Sequence, residues 1–152
     1  MKRKLLLFSC VAMMIASLCG CNPVHTTQHV SYTYSVETGD RVEIKLDTTD
    51  NFSLSSDLPF QISQNDEVLS QGIFMSAENY NTYLDTINND ENAEVIDSGQ
   101  KDGFEYVMWN YGDKEYDYAI LIEDSNTGIL LGNDVSEESA KECFRRLTIS
   151  LK

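Results

Sequence analysis

Few side chains in this chain have types and spacings that could do chemistry, and each has a plainer reading beside it. The stretch SLCGCN, Ser17 to Asn22, sets Cys19 and Cys21 around a glycine at the foot of an apolar run. Such a C-x-C pair could hold a metal, cycle as a redox pair, sit in a membrane helix or accept a lipid. His25 and His29 stand at i, i+4, a spacing that on a helix could share zinc. The segment HTTQH lacks helix formers, however, and has no glutamate at its second position as a zinc-protease helix requires. The two histidines therefore read as solvated linker side chains.

The acidic turns DTTDN (47–51), NNDEN (88–92) and DSNTG (124–128) offer oxygen ligands for calcium. An EF-hand loop needs glycine at its sixth place and glutamate at its twelfth. Counted from Asp124 those places hold Ile129 and Val135; from Asn88 they hold Ala93 and Gly99. These segments read as ordinary Asx turns. The body has no Ser-His or Cys-His pair and no glycine-rich phosphate loop. Carboxylate pairs such as Glu105 with Asp117 or Glu123 arise by chance in so acidic a chain. No catalytic residue, metal ligand or cofactor is expected, and a small carboxylate-dependent hydrolase is the least favoured reading.

The densest aromatic stretch is FEYVMWNYGDKEYDYAILIE (104–123). Exposed, its Trp109, Tyr111, Tyr116 and Tyr118 could form a platform that captures a cell-wall glycan or a peptide. Buried, they would fill the core of a small sheet protein, which is the reading preferred here. Two hairpin registers fit. A two-residue turn at Gly112-Asp113 sets Trp109 opposite Tyr116, Val107 opposite Tyr118 and Glu105 opposite Ile120. A three-residue loop sets Trp109 opposite Asp117 and groups Tyr106 with Ile120. Either register leaves both faces mostly apolar, so helices or loops should cover part of both.

These residues need elements to hold them. VSYTYSV and DRVEIKLD alternate at period two around Thr38-Gly39 and read as a hairpin. NFSLS, PFQIS and EVLSQGIFM follow as strands. Ser76 caps a helix whose Tyr80, Tyr83, Leu84 and Ile87 form one apolar stripe, ended by NNDEN. AEVIDSG, FEYVMWNY, EYDYAILIE and GILLGN are four more strands, punctuated by GQKDG, YGDK and DSNTG. Ser136 opens a second helix, with Glu137 and Glu138 in its first turn and Arg145-Arg146 in its last, as the helix dipole favours. Ala140, Cys143, Phe144 and Leu147 share its apolar face, so Cys143 should be buried and inert. LTISLK closes the chain as a strand. Strands joined by short turns, with two helices, predict the α+β class: one domain, a mainly antiparallel twisted sheet flanked by two helices.

The start of the chain has its own logic. Lys2-Arg3-Lys4 is cationic, and Leu5 to Leu18 is an apolar run of 14 residues. A helix needs roughly 20 apolar residues to cross a bilayer, so this run reads as the core of an export signal. Leu18-Cys19-Gly20-Cys21 resembles the lipobox of bacterial lipoproteins: a branched aliphatic, two small residues and a cysteine. Cys19 departs from the usual Ala, Ser or Thr in its slot but is small enough to fit.

The resemblance implies cleavage before Cys21 by signal peptidase II, diacylglycerol on the Cys21 thiol, and attachment to the extracytoplasmic face of a membrane. Residues 1–20 would then be the signal peptide, 21–29 a lipidated tether and 30–152 the globular domain. Cys143 would be left without a disulfide partner. The body, through DSNTGILLGN, SEESAKECFRRL and TISLK, is similar in shape to the PsbP-like fold. That family includes photosystem accessory subunits and bacterial lipoproteins and has no shared active site, so the similarity implies no reaction.

Charge narrows the partners. The chain has 25 acidic and 11 basic residues; without residues 1–20 it keeps 8 basic ones, for a net charge of −17. That field opposes nucleic acid and anionic membrane surfaces alike, so membrane attachment would have to come from the lipid. The expected role is a non-catalytic binding or accessory domain at the cell envelope, with an envelope protein or glycan as partner.

Overall fold

The computed structural model describes residues 28–112 and 114–152. They form an α+β domain of ten strands and two helices, with all strand pairs antiparallel. The strands are β1 (His29–Ser35), β2 (Arg41–Asp47), β3 (Phe52–Leu54), β4 (Phe60–Gln64), β5 (Glu67–Ser76), β6 (Ala93–Lys101), β7 (Phe104–Tyr111), β8 (Glu115–Ile122), β9 (Thr127–Asn133) and β10 (Leu147–Leu151). The helices are α1 (Ala77–Asn89) and α2 (Glu137–Arg146).

Local chemistry accounts for most boundaries. Ser76 Oγ accepts the Asn79 N–H at 3.2 Å to start α1, and Ser136 Oγ accepts the Ser139 N–H at 3.1 Å to start α2. Asn65 and Asp66 both have positive φ (50° and 67°), as do Asp102 and Gly103 (47° and 87°). These are the two-residue turns whose twist suits a hairpin, and they join β4 to β5 and β6 to β7. The tie between β1 and β2 is the Val36–Asp40 turn, closed by the Gly39 N–H on the Val36 carbonyl at 3.0 Å.

The strands divide into two sheets, not one. Seven lie in the order β3-β4-β5-β9-β8-β7-β6, and three in the order β1-β2-β10. The last strand, β10, pairs with β2, so Ile149 faces Ile44 and Leu147 faces Leu46. The C-terminus thus closes on the first hairpin. The three-stranded sheet and α2 together cover one face of the seven-stranded sheet. That core holds Val42, Ile44, Phe60, Phe104, Met108, Tyr118, Ile129, Cys143 and Phe144, among others. The opposite face carries α1 over a smaller cluster of Met75, Tyr80, Ile87, Trp109 and Ala119. Leu147, read above as part of the helix stripe, is instead the first residue of β10 and is buried there. Leu151 shares its alternation but is 40% exposed at the strand's end.

Two cations fasten α2. Lys101, within a segment read as a turn, belongs to β6; its Nζ donates to the Phe144 and Leu147 carbonyls at 3.0 and 2.9 Å. A lysine on the last carbonyls of a helix satisfies orphan acceptors and complements the dipole. Burial pushes its ammonium below the ordinary lysine range. Arg146, in the last turn of α2, is buried. Its side chain is 6% exposed, with the guanidinium 4.0 Å above the Phe52 ring.

Candidate binding surfaces

Cys21, the expected lipid acceptor, lies outside the described residues, with Cys19 and His25. His29 does not stay in a tether: it opens β1 and pairs across the ladder with Asp47.

The aromatic hairpin adopts the three-residue loop. Trp109 faces Asp117, Tyr106 faces Ile120 and Met108 faces Tyr118. Trp109 and Tyr118 therefore point to opposite faces and both are buried, at 4% and 2% exposure. Trp109 sits 6.4 Å from the Tyr83 ring, beneath α1. Tyr118 stacks on Phe144 of α2, with centroids 4.2 Å apart and planes 10° apart, while Tyr106 meets the same ring at 4.7 Å. Tyr111 is 44% exposed, whereas Tyr116 is half-buried against the main core on the other face. The four residues thus make no common platform. Three of them serve packing.

The first two acidic turns are Asx turns, and the third is closed by a serine, Ser125 Oγ accepting the Thr127 N–H at 2.8 Å. Asp47 Oδ1 accepts from the Thr49 N–H at 3.0 Å and Asp90 Oδ1 from the Asn92 N–H at 2.9 Å. The first turn also meets a cation, since Arg146 donates to the Thr49 carbonyl at 2.9 Å and to Asp50 Oδ2 at 2.7 Å. In the third, Ser125 and Thr127 hydroxyls each donate to Asp40 Oδ2 at 2.7 Å, and these bonds hold the Asp40 carboxyl below its usual range. Among the described residues, no three His, Cys, Asp or Glu side chains gather as a metal site. Cys143 is fully buried and its thiol is pushed up by desolvation, which leaves it in the inert protonated form.

Asp117 is the one carboxyl among the described residues pushed up to about 7, first by burial and then by Glu115 and Asp134. Room for it comes from Gly132 on the neighbouring strand, where a methyl group would stand 3.1 Å from Asp117 Oδ1.

Two clefts meet at the Val36–Asp40 turn, both lined by Thr38. One, of about 650 Å³, is acidic, with Asp40, Glu105, Glu123 and Asp124 in its walls. The other, of about 580 Å³, is largely apolar, with Val36, Leu58, Ile73, Phe74 and Met75. It exists because β4 is half the length of β5. Phe60, the first residue of β4, faces Gly72, so Ile73–Ser76 of β5 pair with β9 on one side and with no strand on the other. Sequence reading missed this groove, though the signal was present: PFQIS is too short to cover EVLSQGIFM.

The chain matches no protein-family model, and no curated protein matches it.

Proposed function

We propose that this chain is a bacterial lipoprotein, cut before Cys21 and held by diacylglycerol on that cysteine at the extracytoplasmic face of a membrane. Its domain, 30–152, is a non-catalytic accessory module that docks an envelope partner. The observation carrying this reading is the run 1–21, where a cationic start, a 14-residue apolar stretch and Leu-Cys-Gly-Cys follow in the order and lengths a lipobox signal requires. The tether supports it. Seven residues separate Cys21 from the start of β1, a span of at most about 25 Å, so a lipid there would keep the domain close to the bilayer.

The non-catalytic part rests on the state of the reactive groups: a buried thiol at Cys143 and a histidine exposed on the edge strand at His29. The glycan platform is not carried further, because Trp109 and Tyr118 are committed to packing. Kinship with PsbP-like domains belongs to the same proposal and rests on element order alone.

Replacing Cys21 tests the reading. In cells fed radiolabelled palmitate, Cys21→Ser should take up no label and accumulate as the precursor. Equal labelling of parent and variant would refute it.

A further inference from the structure

The apolar groove beside β5 has a feature that packing does not require. Ile73–Ser76 have a strand partner on one side only, so alternate backbone N–H and C=O groups face the groove without a ladder partner. Sheet proteins ordinarily blunt such an edge with a charge, a proline or a bulge. Ile73-Phe74-Met75-Ser76 has none of these. The surroundings are apolar and open: Leu58 is 54% exposed and Ile73 44%. Phe74 forms the floor, its ring 5.3 Å from Tyr34 and 6.1 Å from Phe60.

Charge selects the occupant. Glu37 stands on the groove rim, and the adjoining cleft adds Asp40, Glu105, Glu123 and Asp124; no lysine or arginine lines either. A second copy of this chain would bring its own large negative charge, and nucleic acid or an anionic bilayer would be repelled in the same way.

We propose that the open edge of β5 receives an extended cationic segment of a partner protein as an added strand. Main-chain hydrogen bonds to Ile73–Ser76 hold it. Alternate side chains differ in role because successive strand residues point to opposite faces: apolar ones pack on the Ile73 side of β5, and the intervening Lys or Arg side chains, on the Phe74 side, extend towards Glu37 and the acidic Val36–Asp40 turn. This inference names the partner class for the accessory role proposed above. The site stands on the described residues; only the place of encounter rests on the lipoprotein reading. There, the groove would face away from the membrane, since the Val36–Asp40 turn lies at the far end of β1 from the tether, about 20 Å on.

The test uses the full chain in detergent and a fluorescent ten-residue peptide of alternating lysine and valine. Fluorescence anisotropy should show binding that weakens with salt. Peptides of alternating glutamate and valine, or lysine and glycine, should bind at least about ten-fold more weakly. Ile73→Asp and Leu58→Asp should each weaken the lysine–valine peptide by at least about ten-fold although both make the protein more acidic. Glu94→Gln, on the far edge strand, should leave it unchanged, and melting curves should show all variants folded. Methylating alternate peptide nitrogens should abolish binding, because added strands need those donors.

Undiminished binding to Ile73→Asp would mean diffuse charge attraction and overturn the proposal. So would undiminished binding of the methylated peptide, or a concentration-dependent dimer that the peptide does not displace. Cys21→Ser should bind like the parent, so failure of the anchor and failure of the groove read out separately.

Discussion

The ring of Phe60 rests on Gly72, its partner across the β4–β5 ladder. A methyl group on Gly72 would stand 2.0 Å from Phe60 Cζ, well inside contact distance. Phe60 is fully buried, so the ring has little room to yield. Gly72→Ala should therefore displace it and cost about 1–3 kcal/mol, as overpacking of a filled core does. Thermal melts should show a drop of several degrees, whereas an unchanged curve would mean that the ring does not sit on the glycine.

Phe144 joins α2 to the sheet through Tyr118, Tyr106 and Phe104. Phe144→Ala should lower stability by about 3–5 kcal/mol, a large share of the roughly 5–15 kcal/mol typical of a domain. Lys152→Ala loses only a partly exposed ion pair with Glu43, at 2.9 Å, and should move the melting curve far less, by about 0–1 kcal/mol at most. Coincident curves for the two variants would show that Phe144 contributes no core packing.

Arg146 joins α2 to the loop after β2. Its Nε donates to Glu142 Oε1 at 2.6 Å, and Nη2 to Asp50 Oδ2 at 2.7 Å. Arg146→Met keeps the stem but takes away Asp50's cation and leaves Glu142 to Arg145 alone. The expected cost is about 1.5–3 kcal/mol, that of losing hydrogen bonds to charged groups, because Asp50 is itself 71% exposed and Glu142 keeps Arg145. Arg146→Lys should not restore it, since a point charge cannot serve the carboxylates and the Thr49 carbonyl together. Burial raises Glu142, but hydrogen bonds from Arg145 and Arg146 outweigh it and hold the carboxyl below its usual range. Its contribution is thus present above the ordinary carboxylate pKa and lost as pH falls below it. In urea melts the parent's advantage over Arg146→Met should shrink at acid pH. An advantage independent of pH would contradict the pairing.

Asp117 works in the opposite direction. Its folded pKa, about 7, lies above the ordinary 3.8, so between those values the folded protein holds a proton that the unfolded chain has released. Stability from this site is present at acid pH and falls as pH rises towards 7. Asp117→Asn stays neutral throughout. It should melt above the parent at pH 8 and close to it at pH 4. A difference of the same size at both pH values would show that folding leaves the pKa of Asp117 unchanged.

The local parts of this fold were legible. All ten strands and both helices follow from period-two alternation, polar turn residues and the serines at 76 and 136, because those signals act within a few residues. Partner choice was not legible. Nothing near LTISLK says that it pairs with β2 instead of joining the larger sheet; that depends on Leu147 and Ile149 finding Leu46 and Ile44 a hundred residues away. The partners of Lys101 and Arg146 were hidden for the same reason: Lys101, within a segment read as a turn, is half-buried against the end of α2, and Arg146, read only as a last-turn charge, is buried against Phe52 and Thr49. The hairpin register stayed open because both alternatives buried similar amounts of apolar surface. The groove beside β5 was legible only as a mismatch in strand length.

The mass and N-terminal residue of the protein extracted from membranes test the central claim most directly. The account predicts a chain that begins at Cys21 and carries a diacylglyceryl group on that residue. A chain that begins at Met1, or one cut elsewhere and free of lipid, would contradict it.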